Sequence, residues 1–127
     1  MNTALIIEDD FIIALLLRNQ LEKLGLTVAG TLDNGEELSE QVDRTRPDVL
    51  FVDIELKGDL NGMDAVRQLS RENRPHVIFI TGASVFKTRR ETEDIAPVSV
   101  LGKPVSFSDI EQTVEKLEKI SLSSQLA

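Results

Sequence analysis

The sequence predicts an α/β fold, a doubly wound sheet of five parallel strands flanked by five helices. Three observations carry that prediction. Short apolar runs alternate with longer amphipathic ones along the whole chain. The strongest runs are apolar at consecutive positions rather than alternate ones, as in strands covered on both faces of a parallel sheet. Five strands and five helices in strict succession call for helices on both sides of that sheet.

Ala4-Leu5-Ile6-Ile7, Val49-Leu50-Phe51-Val52 and Val77-Ile78-Phe79-Ile80 are the continuous runs and read as the first, third and fourth strands. Thr27 to Gly30 and Val98 to Leu101 are shorter and more mixed, and are expected nearer the edges. The first helix follows Asp10, a suitable N-cap, and reaches about Leu24, where Gly25 ends it. The second spans about Asn34 to Thr45 and is stopped by Pro47; the third begins near Gly62, with Val66 and Leu69 on one face. Ser84 to Asp94 offers only Val85 and Phe86 before a polar run, so a short or mobile fourth helix is expected. In the fifth, Phe107, Ile110, Val114 and Leu117 recur at spacings of three and four, with Ser106 or Ser108 as cap. Residues 1–120 read as one domain and 121–127 as a short frayed tail.

Composition narrows the function. At 127 residues the chain fits a single domain, and 41% apolar residues suffice for one core. A net charge of -8 argues against DNA as a partner, because phosphate backbones attract Lys and Arg. Cysteine is absent, which excludes disulfides and thiolate metal sites. The longest apolar run, Phe11 to Leu17, is far short of the roughly 20 residues of a membrane span. No signal peptide is visible, and a cytoplasmic protein with no membrane partner is expected.

Ligands of an open parallel sheet bind beyond the carboxyl ends of its strands. Glu8, Asp9 and Asp10 follow the first strand, Asp53 the third, Thr81 the fourth, and Lys103-Pro104 the fifth. Each alone has an ordinary explanation. Asp10 reads as a helix cap, Thr81-Gly82 as a turn, and Lys103 as a surface lysine. Asp53 is harder to dismiss, since its strand carries it into the sheet end, where an unpaired carboxylate is costly. Together they make an oxygen-rich site suited to Mg²⁺, which binds phosphate while keeping several waters. Such an ion screens Asp53 from an anionic phosphoryl group, Lys103 adds positive charge, and Thr81 offers a hydroxyl. Asp53 is then the nucleophile and an acyl phosphate the product.

Ile6-Ile7-Glu8-Asp9, Val52-Asp53, Ile80-Thr81-Gly82 and Lys103-Pro104 resemble, in order and spacing, the response regulator receiver family across essentially the whole chain. The flavodoxin-like strand order 2-1-3-4-5, known for the chemotaxis member of that family, is implied by the resemblance and not by the pattern. The resemblance also implies Asp53 as phosphoacceptor and Mg²⁺ as cofactor, bound by Asp9 directly, by Glu8 through water, and by the backbone carbonyl of Glu55. It implies Lys103 as the phosphate partner, Thr81 as the switch hydroxyl, and a cis bond before Pro104. A histidine kinase or histidine phosphotransfer protein is the implied donor.

Two positions depart from the family pattern. Val100 stands where a Tyr or Phe is usual, three residues before the lysine, so the usual Thr-plus-aromatic coupling cannot operate. The loop from Ile54 to Asp64 is longer than is common. With Phe79-Ile80-Thr81-Gly82, both features resemble the alphaproteobacterial stand-alone FATGUY receivers, associated with HWE-type histidine kinases.

The resulting expectation is a single-domain response regulator, a monomer or weak dimer. It would catalyse only its own phosphorylation and dephosphorylation and be read by a separate protein on the face of the fourth helix, fifth strand and fifth helix. The alternatives are a phosphate sink, or an adaptor that works without phosphorylation. Loss of Asp9, Asp53 or Lys103 would favour the adaptor, and all three are present. A dinucleotide-binding enzyme would need a Gly-rich turn where Glu8-Asp9-Asp10 stands. A dehalogenase-like phosphatase would need a second Asp two residues after the first-strand Asp, and Phe11 follows Asp9 there. His76 starts a strand, so it reads as structural, and Arg89-Arg90 as a solvated helix face.

Overall fold

The computed structural model describes residues 2–126, and side chains as far as residue 122. Strands and helices alternate strictly: β1 (Thr3–Ile7), α1 (Phe11–Lys23), β2 (Thr27–Leu32), α2 (Leu38–Thr45), β3 (Val49–Asp53), α3 (Gly62–Arg67), β4 (His76–Thr81), α4 (Val85–Glu91), β5 (Ser99–Gly102) and α5 (Phe107–Leu126). The five strands form one parallel sheet in the order β2-β1-β3-β4-β5. Both weaker runs lie at its edges, as the sequence suggests.

The continuous apolar runs divide between two layers. Leu5, Ile7, Leu50, Val52, Val77 and Phe79 pack with Leu38 and Val42 of α2 and Ala65 and Val66 of α3. Ala4, Ile6, Val49, Phe51, Ile78 and Ile80 face the other way, onto Ala14, Leu17 and Leu21 of α1 and Ile110, Val114 and Leu117 of α5. Successive side chains of a strand point to opposite faces, so a strand covered on both sides must be apolar at every position. All five residues of β3 are buried. Each large apolar side chain fully buried there contributes about 1.5–3 kcal/mol, which makes β3 the element least free to shift.

Local chemistry sets the helix ends. The Asp10 carboxylate accepts from the amides of Ile12 and Ile13, and Gly25 closes α1 at φ 91°, a conformation glycine adopts without a Cβ clash. Asn61 caps α3 and Ser84 caps α4. Ser106 and Asp109 cap α5 reciprocally, each side chain accepting from the other's amide. The short α4 is tied to α3 by Arg67, whose guanidinium donates to both Asp94 carboxylate oxygens and to the Glu91 carbonyl.

Two boundaries differ from expectation. α2 starts at Leu38 rather than near Asn34, because the Asn34 side chain closes a turn onto the Glu37 amide while Gly35 lies against Ala65. α5 continues through Leu126 rather than giving way to a tail at residue 121, since no Gly or Pro follows Phe107 to stop it. Among the described residues no helix is long and apolar enough to cross a membrane.

Candidate functional site

Parallel pairing brings the carboxyl ends of β1, β3, β4 and β5 to one edge of the sheet: Ile7 lies beside Val52, Asp53 beside Ile80, and Thr81 beside Gly102. The residue at or just after each end therefore reaches the same crevice. Glu8, Asp53 and Thr81 are buried there, Asp9 and Lys103 partly so.

Lys103 is the hub of the charges. Its Nζ lies 3.1 Å from Asp53 Oδ2 and 3.4 Å from Glu8 Oε1. Asp53 Oδ1 accepts from the Glu55 amide at 3.0 Å, so both carboxylate oxygens of the buried acid are satisfied. Glu8 accepts from the Asp10 amide through Oε2. Asp9 Oδ2 accepts from the Lys57 amide at 3.1 Å and so ties the loop after β3 to the loop after β1. The Lys103-Pro104 bond is cis.

These surroundings tune the ionisable groups. Burial pushes the Glu8 carboxyl up to about 7, and its hydrogen bond to Asp53 and the Asp53 charge add to the rise; the Asp10 amide and Lys103 offset part of it. Burial disfavours the Lys103 charge, but hydrogen bonds to Asp53 and Glu8 and their negative charge outweigh it and hold the ammonium above the ordinary lysine range. Three carboxylates thus face one ammonium.

That imbalance fits a hard divalent cation. One oxygen each from Glu8, Asp9 and Asp53 lie within 4.8 Å of one another. An all-oxygen set with two of its three acids buried suits Mg²⁺ better than a softer metal.

Thr81 is in the crevice, and its hydroxyl is engaged by the Glu55 side chain. It donates to Glu55 Oε1 at 3.1 Å and accepts from the Ala83 amide at 3.0 Å. The same Glu55 oxygen accepts from the Gly82 amide. Sequence reasoning assigned a role to the Glu55 backbone and none to its side chain; a glutamate in a loop carries no signature that could have shown this contact. Asp10 is the helix cap that its position suggests, exposed and turned to the α1 amides. His76 pairs with Val49 at the far end of β4, away from the crevice.

The outer face of α1 escaped the sequence reading as well. Phe11, Ile12, Leu15 and Leu16 are exposed, by 77%, 67%, 46% and 57%, enough to make a continuous apolar surface rather than scattered residues. Between α1 and the loop after β5 runs a groove lined by Ile13, Leu16, Leu17, Ile80, Lys103 and Val105. The signal was present: Phe11 to Leu17 is apolar around the whole helix, and only one side of a surface helix can face the core.

Comparison with known proteins places this crevice in context. A family model described as the response regulator receiver domain matches residues 4–115. The chain is 29% identical over 118 residues to a protein-glutamate methylesterase/protein-glutamine glutaminase of Alkalilimnicola ehrlichii, covering 91% of this chain and 30% of that protein. It is 29% identical over 98 residues to the transcriptional regulatory protein BtsR of Escherichia coli, covering 77% and 40%. The chain thus spans well under half the length of these curated relatives. Among solved structures, the signal receiver domain of a modulated diguanylate cyclase from Desulfovibrio desulfuricans superimposes with a TM-score of 0.83 at 35% identity, over 97% of this chain and 98% of that one. The receiver domain of PhyR from Erythrobacter litoralis gives 0.76 at 30% identity, over 91% and 89%.

Proposed function

Because the chain belongs to the response regulator receiver domain family, we propose that it is a phosphorylation switch of a two-component phosphorelay, with Asp53 as acceptor. The observation that carries this reading is the buried Asp53 carboxylate held 3.1 Å from Lys103 at the edge where Glu8 and Asp9 converge. The donor is a phosphohistidine of a histidine kinase or phosphotransfer protein, and an HWE-type kinase is the favoured source.

In the transfer, an Asp53 carboxylate oxygen attacks phosphorus as the phosphorus–nitrogen bond of the donor breaks. The electron pair of that bond stays on the imidazole, and Asp53 becomes a mixed anhydride. Glu8, Asp9 and Asp53, with the Glu55 carbonyl, would hold Mg²⁺, which when bound offsets charge on the transferring group. Lys103 balances the same charge from the β5 side and keeps Asp53 oriented. The Glu55 amide fixes the other Asp53 oxygen, so the acid presents one direction of attack. Thr81 supplies its hydroxyl to the product.

The apolar outer face of α1, beside the Lys103 groove, supports a protein donor, since a small phosphodonor needs no such surface. The chain acts as an enzyme only on itself, as a monomer or weak dimer. Its reader is a separate protein that docks on α4, β5 and α5. Val100 is buried and too small to swing as a ring would, so the signal passes through residues 84–94.

The test is incubation with a small phosphodonor and Mg²⁺, followed by intact mass. One added phosphoryl group on the wild type and none on Asp53→Asn is expected. Equal modification of both proteins, or of neither, would sink the assignment.

A further inference from the structure

The hydroxyl proposed to receive a phosphoryl group, that of Thr81, is already occupied. The Thr81 hydroxyl and the Gly82 amide stand side by side after β4, and both donate to one oxygen of the Glu55 side chain. The Thr81 hydroxyl is committed at both ends, since its oxygen accepts from Ala83. Glu55 is positioned for this from its own backbone, whose amide donates to Asp53 Oδ1. A Cβ on residue 82 would come within 3.2 Å of the same Glu55 oxygen, so a glycine there leaves the carboxylate its seat.

We infer that the Glu55 carboxylate is an internal competitor for the phosphoryl group: it holds the Thr81–Gly82 donor pair while Asp53 is unmodified and must leave when Asp53 is phosphorylated. This rests on the proposed role of Asp53. A carboxylate oxygen taking a hydroxyl and an amide presents those donors with nearly what a phosphoryl oxygen would. Both anions cannot share them. A phosphoryl group adds nearly two negative charges within reach of Glu55, whose side chain is exposed and free to turn to solvent. Its departure releases the start of α4, because Gly82 lies two residues before the Ser84 cap. Glu55 is thus a positioning residue that sets the threshold of the switch.

The experiment compares wild type, E55Q and E55A by amide NMR, first alone and then on titration with beryllofluoride and Mg²⁺, with Mg²⁺ affinity measured separately. Without any ligand, the Gly82 amide proton should move upfield in E55A, reporting loss of the charged acceptor. Beryllofluoride should bind E55A about tenfold more tightly than wild type, the scale of losing one charge-assisted competitor. E55Q, which keeps the shape without the charge, should fall between them. An unmoved Gly82 resonance, or affinities within about twofold after correction for Mg²⁺, would overturn the competitor role. Failure of every variant to bind beryllofluoride would instead count against the phosphorylation switch itself. E55D makes a further control: one methylene shorter, it should behave as E55A does, whereas wild-type behaviour would show that charge near the site suffices and the seat is irrelevant.

Discussion

Lys103 and Glu8 come from opposite sides of β3, yet the lysine Nζ lies 3.4 Å from the glutamate while also bonding Asp53. One ammonium therefore serves two buried carboxylates, and removing it strands both. Lys103→Met is expected to lower stability by about 1–3 kcal/mol, less than a fully buried pair would lose because the lysine is partly solvated. Mg²⁺ should restore much of that loss by supplying the missing positive charge. Thermal unfolding followed by circular dichroism, with and without the ion, checks both halves.

Glu8 links stability to pH. Its carboxyl is raised from 4.5 to about 7 in the folded protein, so the native state holds this proton more tightly than the unfolded chain does. Stability from this group is full below pH 4.5 and declines as pH rises toward 7. Glu8→Gln should remove that slope. The variant should match wild type in acid and exceed it above pH 7 by on the order of 3 kcal/mol. Because the ion requires the ionised acid, wild-type Mg²⁺ affinity should weaken with each pH unit below 7. Urea unfolding across that pH range, with parallel Mg²⁺ titrations, reads both effects.

On the proposed function, the α1 surface should distinguish protein donors from small ones. Leu16 is 57% exposed and lines the groove beside Lys103 without touching the acids. Leu16→Glu should slow phosphotransfer from a cognate kinase at least tenfold, the scale of an interface anchor. Phosphorylation by a small phosphodonor should stay within about twofold of wild type, since surface changes of this kind seldom disturb the fold. Parallel rates from both donors make the comparison.

Gly62 holds α3 against β3. A Cβ there would collide with the Asp53 carbonyl and the Val52 side chain, while the Gly62 amide donates to the Ile54 carbonyl. Gly62→Ala should cost about 1–3 kcal/mol through overpacking against backbone that cannot yield. It should also impair phosphorylation, because the displaced atoms belong to Asp53 itself. Denaturant midpoints and phosphodonor rates should fall together.

Much of this architecture is legible in the amino-acid sequence. The runs through Leu5, Phe51 and Ile78 could be read because burial on both faces leaves no position for a polar residue. The same runs showed which residues stand at the strand ends, and hence Glu8, Asp9, Asp53 and Thr81, while Lys103 followed from the weaker fifth run. Strand order was only partly legible: the shorter, more mixed runs pointed to the two edges, and only the family resemblance ordered the three strong runs between them. The start of α2 was illegible because Gly35 is held by Ala65, a contact far along the chain. The Glu55 side chain was illegible for a related reason, since its partners are brought near only by the pairing of β3 with β4.

The interior of the sheet and its rim differ in stiffness. Asp53 ends a strand whose neighbours on both sides and both faces are packed, so its main chain has almost no compliance. On the proposed phosphorylation of Asp53, strain created at that acid would pass to the exposed turn beyond Thr81, whose hydroxyl and Gly82 amide meet Glu55. Making that turn rigid would then leave the proposed chemistry in place while cutting it off from the surface beyond.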